Sequence, residues 1–188
     1  MKKIILVLGI LISLSFLGLI LGGKLIGKKD TPKPQIIRND FGVPQSLAIE
    51  KLGVEATVES VGMDEKGRMD VPKGVMNVAW YNLGAKPGDN GSAVLAGHLD
   101  TPQGKPAVFY SLGTLKKGDE IKVTNSKGKK LIYVVEKIAT YDTDKFPLVE
   151  VFADASGKRL NLITCNGTWD KNNKNYLKRL VVYSTLKK

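Results

Sequence analysis

From about Gln45 to the C-terminus the chain is a train of short segments in which apolar residues alternate with polar ones, cut by turns bearing Gly and Asp. A helix needs an apolar repeat near 3.6, whereas a repeat of two marks a strand with one buried face. Leu47 and Ile49, then Val54, Ala56 and Val58, alternate on either side of a turn at Lys51 to Gly53. Ala93 to Ala96 is a compact apolar run, and Ile121 and Val123 alternate. Lys129 to Thr140 is the longest candidate strand, rich in the β-branched and aromatic residues that suit a pleated surface. Leu160 to Thr164 and Leu180 to Tyr183 supply two more, and Asn125 to Gly128 reads as the turn of a hairpin. Only Pro106 to Leu112 and a turn near Ala79 to Leu83 read as helical, and both are short. The expectation for 45–188 is therefore an all-β barrel or sandwich with a few helical turns.

With 188 residues the chain has room for one such domain and an appendage, but not for two domains and a membrane anchor. Ile4 to Gly23 carries no charge. At about 20 residues it is long enough to cross a hydrocarbon core of roughly 30 Å as a helix. A cleaved signal peptide is the rival reading, since Lys2 and Lys3 form a basic start. The stretch is nevertheless longer than a signal core, and Lys24 to Lys28 replace the small residues of a cleavage site. The expected organisation is a tip at 1–3, a transmembrane signal-anchor helix at 4–23, a linker at 24–44 opposed to helix by Pro32, Pro34 and Pro44, and the folded domain at 45–188. Lysines flank both ends of the apolar segment, so charge alone does not settle its orientation.

The net charge of +11 comes from lysines scattered along the chain. No nucleic-acid-binding module or focused basic patch accompanies them, so no nucleic-acid partner is expected. Diffuse positive charge suits work beside anionic headgroups or wall polymers, and serves solubility equally well.

The chain has one cysteine and one histidine. Cys165 closes the apolar run LNLITC just before polar residues, and His98 closes AVLAGH before the segment LDTPQGKP. A thiol at a strand end is rigidly held yet open to substrate, and imidazole exchanges protons near neutral pH. The plain alternatives are a buried core cysteine and a structural histidine. One Cys and one His fall short of a metal's usual three or four protein ligands unless carboxylates join, so no metal is expected, and acyl transfer through a thioester would need no organic cofactor. Arg179 opens the run RLVVYS, and its permanently charged guanidinium can neutralise an oxyanion formed in acyl transfer; the alternative is a surface cation at a strand edge. Asp100, two residues past His98, is a candidate either to orient the imidazole or to cap its loop. Thr164 is a candidate for shaping a substrate pocket, and Trp80, Tyr81 and Trp169 for lining an apolar groove or for packing.

The blocks LNLITC, a polar loop and YLKRLVVYS, with GSAVLAGHLDTPQGKPAVFYSLGTLKKGDEIKV upstream, resemble the sortase family in their His and Thr-Cys segments. With the region VAWYNLGAKPGDNG they look most like its class F members. The resemblance implies a closed eight-stranded β-barrel and a cysteine transpeptidase on the outer face of a Gram-positive membrane, with residues 1–3 cytoplasmic and 24–188 extracytoplasmic. It implies cleavage of a Leu-Pro-x-Thr-Gly sorting signal on surface proteins, a thioacyl intermediate on Cys165, and transfer to an amine of the cell-wall precursor or of a pilin. His98 is then the acid/base and Arg179 the electrostatic partner, with Lys178 and Arg159 as fallbacks. Rival readings are an L,D-transpeptidase-like wall enzyme, whose Ser-His-Gly-Cys block is absent, and a non-catalytic anchored β-domain.

Overall fold

The computed structural model describes residues 41–188; the tip at 1–3, the membrane span at 4–23 and residues 24–40 of the linker lie outside the described residues. Eight strands follow in chain order: β1 (Pro44–Ile49), β2 (Val54–Val61), β3 (Val78–Tyr81), β4 (Gly91–Gly97), β5 (Glu120–Asn125), β6 (Lys130–Asp142), β7 (Lys158–Asp170) and β8 (Asn175–Leu186). They close into a barrel in the order β1-β2-β3-β4-β7-β8-β6-β5, with β1 pairing β5. Closure leaves no unpaired edge, and eight strands enclose an interior just wide enough for side chains to fill.

Alternation decides what fills it. Leu47 and Ile49, Val78 and Trp80, Ala93 and Leu95, Ile121 and Val123, Tyr133 and Val135, Leu160 and Leu162, and Leu180 and Val182 all belong to one buried cluster. Seven of the strands thus contribute every second residue, and Ala56 represents β2, so this cluster is the barrel interior. Burying one such Leu or Ile contributes roughly 1.5–3 kcal/mol.

The intervening residues of the β4, β7 and β8 region are buried too, which explains why LNLITC and LVVYS read as continuous apolar runs. Val94, Ile163, Val181 and Tyr183 form a second cluster with Val151, with Tyr81, Phe146 and Phe152 packed against it. A π-helical turn, Val149–Ala153, supplies Val151 and Phe152 to this outer layer. Asn161 is tied to the same turn, its Nδ2 donating to the Val151 carbonyl at 2.7 Å.

Three local expectations are corrected. The segment 79–83 is not a helical turn: Val78–Tyr81 is β3, paired parallel to β2 and antiparallel to β4. Four residues are too few to display a period, so cross-strand hydrogen bonds decide the matter. In the helical candidate 106–112, turns lead to a single 3-10 turn at Leu112–Thr114. The polar stretch after Cys165 is not a loop, because β7 runs on to Asp170 and pairs with β8 from Asn175. Trp169 faces Tyr176 across that arm, beyond a bulge after Asn166.

Candidate active site

The geometry of the site follows from strand register. In β4 the inward residues are Ala93, Leu95 and Gly97, so Val94, Ala96 and His98 fall on the outer face; the same parity puts Ile163 and Cys165 of β7 and Val181 and Arg179 of β8 outside. β4 and β7 run parallel and their pairing ends with Ala96 opposite Ile163; carried two residues further, past the end of β4 at Gly97, that register brings His98 alongside Cys165. On the other flank Cys165 is paired with Arg179. Cys165 and Arg179 therefore sit side by side on adjacent strands, about 4.8 Å apart, and His98, just past the end of β4, continues their row.

The inner face supports this row. Thr164 is buried and points inward, its hydroxyl donating to the Gly97 carbonyl at 2.9 Å, so a side-chain bond joins the residue before Cys165 to the residue before His98. Thr164 thus fastens the two strands beneath the site.

Each member of the row has its own environment. Cys165 is partly buried, and burial pushes its thiol above the usual range; the Arg179 guanidinium pulls it down and the Asp100 carboxylate pushes it up. No hydrogen bond joins its sulfur to His98 or Arg179. His98 Nε2 lies 2.9 Å from the Pro72 carbonyl oxygen. A carbonyl only accepts, so Nε2 carries the proton and Nδ1 is the nitrogen left for proton exchange. The His98 main chain is held as well, its carbonyl accepting from the Phe109 N–H at 2.9 Å. Arg179 uses Nη1 on the carbonyls of Tyr176 (2.9 Å) and Lys178 (2.8 Å), and Nη2 on Asn175 Oδ1 at 2.8 Å. Of its five N–H donors, three are engaged in these bonds and two are not.

The other sequence candidates fall in different places. Asp100 does not orient the imidazole: its carboxylate accepts from the Tyr176 hydroxyl, and the Pro72 carbonyl takes the orienting role. That bond ties the segment after His98 to β8 and pushes the Tyr176 phenol up to about 12. Trp80 is 4% exposed inside the barrel, its indole N–H donating to the Ala85 carbonyl at 3.1 Å, so it packs the core and lines no outer groove. Tyr81 packs edge-on against Phe152 over the outer cluster. Trp169 is 47% exposed and meets Tyr176 edge-on, with ring centroids 5.2 Å apart. It is an exposed aromatic on the β7–β8 arm beyond Cys165. Arg159 lies six residues from Cys165 on β7, about 20 Å along a strand, and is paired with Asp154 at 2.9 Å. Lys178 contacts Asp142 at 3.4 Å. Of the three cations, Arg179 alone shares the row with Cys165 and His98.

Pro72, Asn175 and Tyr176 carry no sequence signal for these roles, because each acts through a contact with a residue distant in the chain or through its main chain.

A family model, the sortase domain, matches residues 47–187. No curated protein sequence matches the chain. Among solved structures, sortase A from Corynebacterium diphtheriae is similar at 20% identity and a TM-score of 0.59, covering 78% of this chain and 61% of that one. Sortase C1 from Streptococcus suis is similar at 22% identity and a TM-score of 0.59, over 77% of this chain and 73% of that one. A Clostridium perfringens sortase D5 transpeptidase gives 22% identity and a TM-score of 0.57, over 78% and 79%. The chain spans about three fifths of the diphtherial structure's length, and the likenesses to these solved structures concern the fold. With the family model covering all eight strands of the closed barrel but the first residues of β1, the chain belongs to the sortase family.

Proposed function

We propose that the protein is a membrane-tethered cysteine transpeptidase acting outside the cytoplasm. It cleaves a Leu-Pro-x-Thr-Gly-type signal between Thr and Gly and passes the acyl group to an amine of the cell-wall precursor or of a pilin. The observation that carries this reading is the row of thiol, imidazole and guanidinium on neighbouring strands. The anchor is the apolar segment Ile4 to Gly23, long enough to span a bilayer, and the assignment of 1–3 to the cytoplasm rests on the resemblance to sortases. Protease added outside intact cells should remove 45–188 from the membrane fraction; protection of the domain would reverse the orientation. The finer assignment to class F rests on the segment VAWYNLGAKPGDNG together with the His block.

The chemistry balances without a cofactor. At rest the thiol keeps its proton, since burial holds it above the usual range. That proton passes to Nδ1 of His98 while Nε2–H stays on Pro72. The thiolate attacks the Thr carbonyl carbon, forming a C–S bond and an oxyanion that the remaining Arg179 donors face. Collapse breaks the C–N bond to Gly, and His98 gives its proton to the departing amine. The incoming amine then attacks the thioester, its proton goes to His98, the C–S bond breaks, and His98 returns that proton to the departing sulfur to restore the thiol. Without an amine, water takes the acyl group and the net reaction is hydrolysis.

The test is incubation of the full-length protein with Leu-Pro-x-Thr-x peptides and an amine, followed by mass spectrometry. A thioacyl adduct on Cys165 is expected, absent in Cys165→Ala, with turnover greatly reduced in His98→Ala. Undiminished turnover in Cys165→Ala would reject the assignment.

A further inference from the structure

Glu59 lies on β2, opposite Ala79 of β3 and well separated in sequence from the row described above. Its carboxylate is saturated by one short segment: Oε2 accepts from the Lys73 N–H at 2.9 Å, and Oε1 accepts from the Gly74 N–H at 3.2 Å and from Asn77 Nδ2 at 2.8 Å. These are the first two amides after Pro72, the residue whose carbonyl receives the His98 Nε2 proton. Pro72 is buried and, as a proline, has no N–H with which to anchor itself. Beyond its internal Asn77 N–H to Gly74 carbonyl bond at 3.0 Å and the His98 contact itself, the segment is fastened by hydrogen bonds to Glu59 and by the Val108 N–H, which donates to the Val75 carbonyl at 3.1 Å. Gly74 completes the fit, since a Cβ there would stand 2.5 Å from Asn77 Nδ2 and displace the amide that closes the clamp. The same donors hold the Glu59 carboxyl below the usual range, so it is ionised at neutral pH and these hydrogen bonds are charge-assisted.

We infer that Glu59 is a positioning residue for His98: by clamping segment 72–77 it sets the Pro72 carbonyl that holds Nε2–H and leaves Nδ1 for proton exchange. Its significance for turnover rests on the acid/base role proposed for His98; the clamp itself does not.

The chain's single histidine makes the test unambiguous. Full-length protein, labelled with 15N and purified without a histidine tag, should show one imidazole Hε2 signal that exchanges slowly with water. In Glu59→Ala that exchange should quicken at least tenfold, and kcat for peptide-to-amine transfer should fall roughly 10-fold to 100-fold with KM unchanged, the scale of a catalytic group displaced by about 1 Å. Glu59→Gln, which keeps an acceptor oxygen, should fall between Glu59→Ala and the parent on both measures. If Glu59→Ala does not fold, Asn77→Ala removes one of the three bonds and is read the same way. Unchanged Hε2 exchange, or a rise in KM with kcat intact, would overturn the inference. Full turnover in the separate variant His98→Ala, together with an Hε2 signal that still responds to Glu59→Ala in the chain that keeps His98, would refute the transpeptidase chemistry and leave the clamp standing.

Discussion

Gly97→Ala tests the packing beneath the site. Gly97 faces the barrel interior, and a Cβ there would lie 2.5 Å from Phe109 Cδ2, 2.8 Å from Val108 Cγ1 and 2.9 Å from Phe109 Cε2. Carbon atoms settle at about 3.5–4.0 Å, so the Phe109 ring must retreat by about 1 Å. It has little room to do so, because Phe109 and Val108 are both buried in the main cluster. Their amides are also committed, Phe109 to the His98 carbonyl and Val108 to the Val75 carbonyl. Overpacking of this kind costs about 1–3 kcal/mol. Restricting the unfolded chain returns about 0.4–1 kcal/mol, leaving a net loss near 1–2 kcal/mol. For a domain of this size each kcal/mol moves the midpoint by about 2–4 °C, so Gly97→Ala should melt roughly 2–8 °C below the parent. Gly157→Ala is the internal control, since nothing lies within 4 Å of its Cβ position. It should be neutral or gain up to about 1 kcal/mol. Circular dichroism melts of the full-length variants read both values. A Gly97→Ala protein melting at or above the parent would refute the argument that the Gly97 to Phe109 approach requires a bare Cα.

Two further outcomes follow from the charge environment. Alkylation of Cys165 by iodoacetamide should rise with pH to a midpoint above that of an ordinary thiol. Arg179→Ala should move that midpoint further up and Asp100→Asn should move it down, since the guanidinium favours thiolate and the carboxylate opposes it; the reverse order would contradict the row. Tyr133 is buried and its phenol is pushed up to about 12 from 10, chiefly by burial. The folded state thus holds that proton more tightly than the unfolded chain, and stability falls as pH climbs from 10 towards about 12. Tyr133→Phe should make urea stability less steep in this window. At neutral pH it should cost about 1–3 kcal/mol, because the Gly88 N–H that donates to the Tyr133 oxygen at 2.8 Å loses its partner. An unchanged slope would show that Tyr133 titrates like an exposed phenol.

Much of the barrel is legible along the chain because a half-buried strand must alternate. The pairs Leu47 and Ile49, or Ile121 and Val123, announce their inward face in the order of residues. The ends of the runs AVLAGH and LNLITC likewise show where His98 and Cys165 stand, since an apolar run stops where its cover stops. Legibility fails where a residue's setting depends on something remote. The run LVVYS hides its alternation because Val181 and Tyr183 are covered by residues far earlier in the chain, on the π-helical turn and on β6. Trp80 and Trp169 look alike in sequence, yet one fills the barrel and the other stands exposed on the hairpin arm.

Local chemistry therefore settles that the chain makes strands, where most of them lie, and which residue types could transfer an acyl group. Strand order and register settle the rest: that β7 lies between β4 and β8, that Arg179 rather than Arg159 flanks the thiol, that Pro72 holds the imidazole and that Asp100 turns to Tyr176. The physical reason is that an alternating pattern specifies the two faces of a strand but not its neighbours. Neighbours are chosen by closing one barrel around a single core, where every strand's register constrains the next.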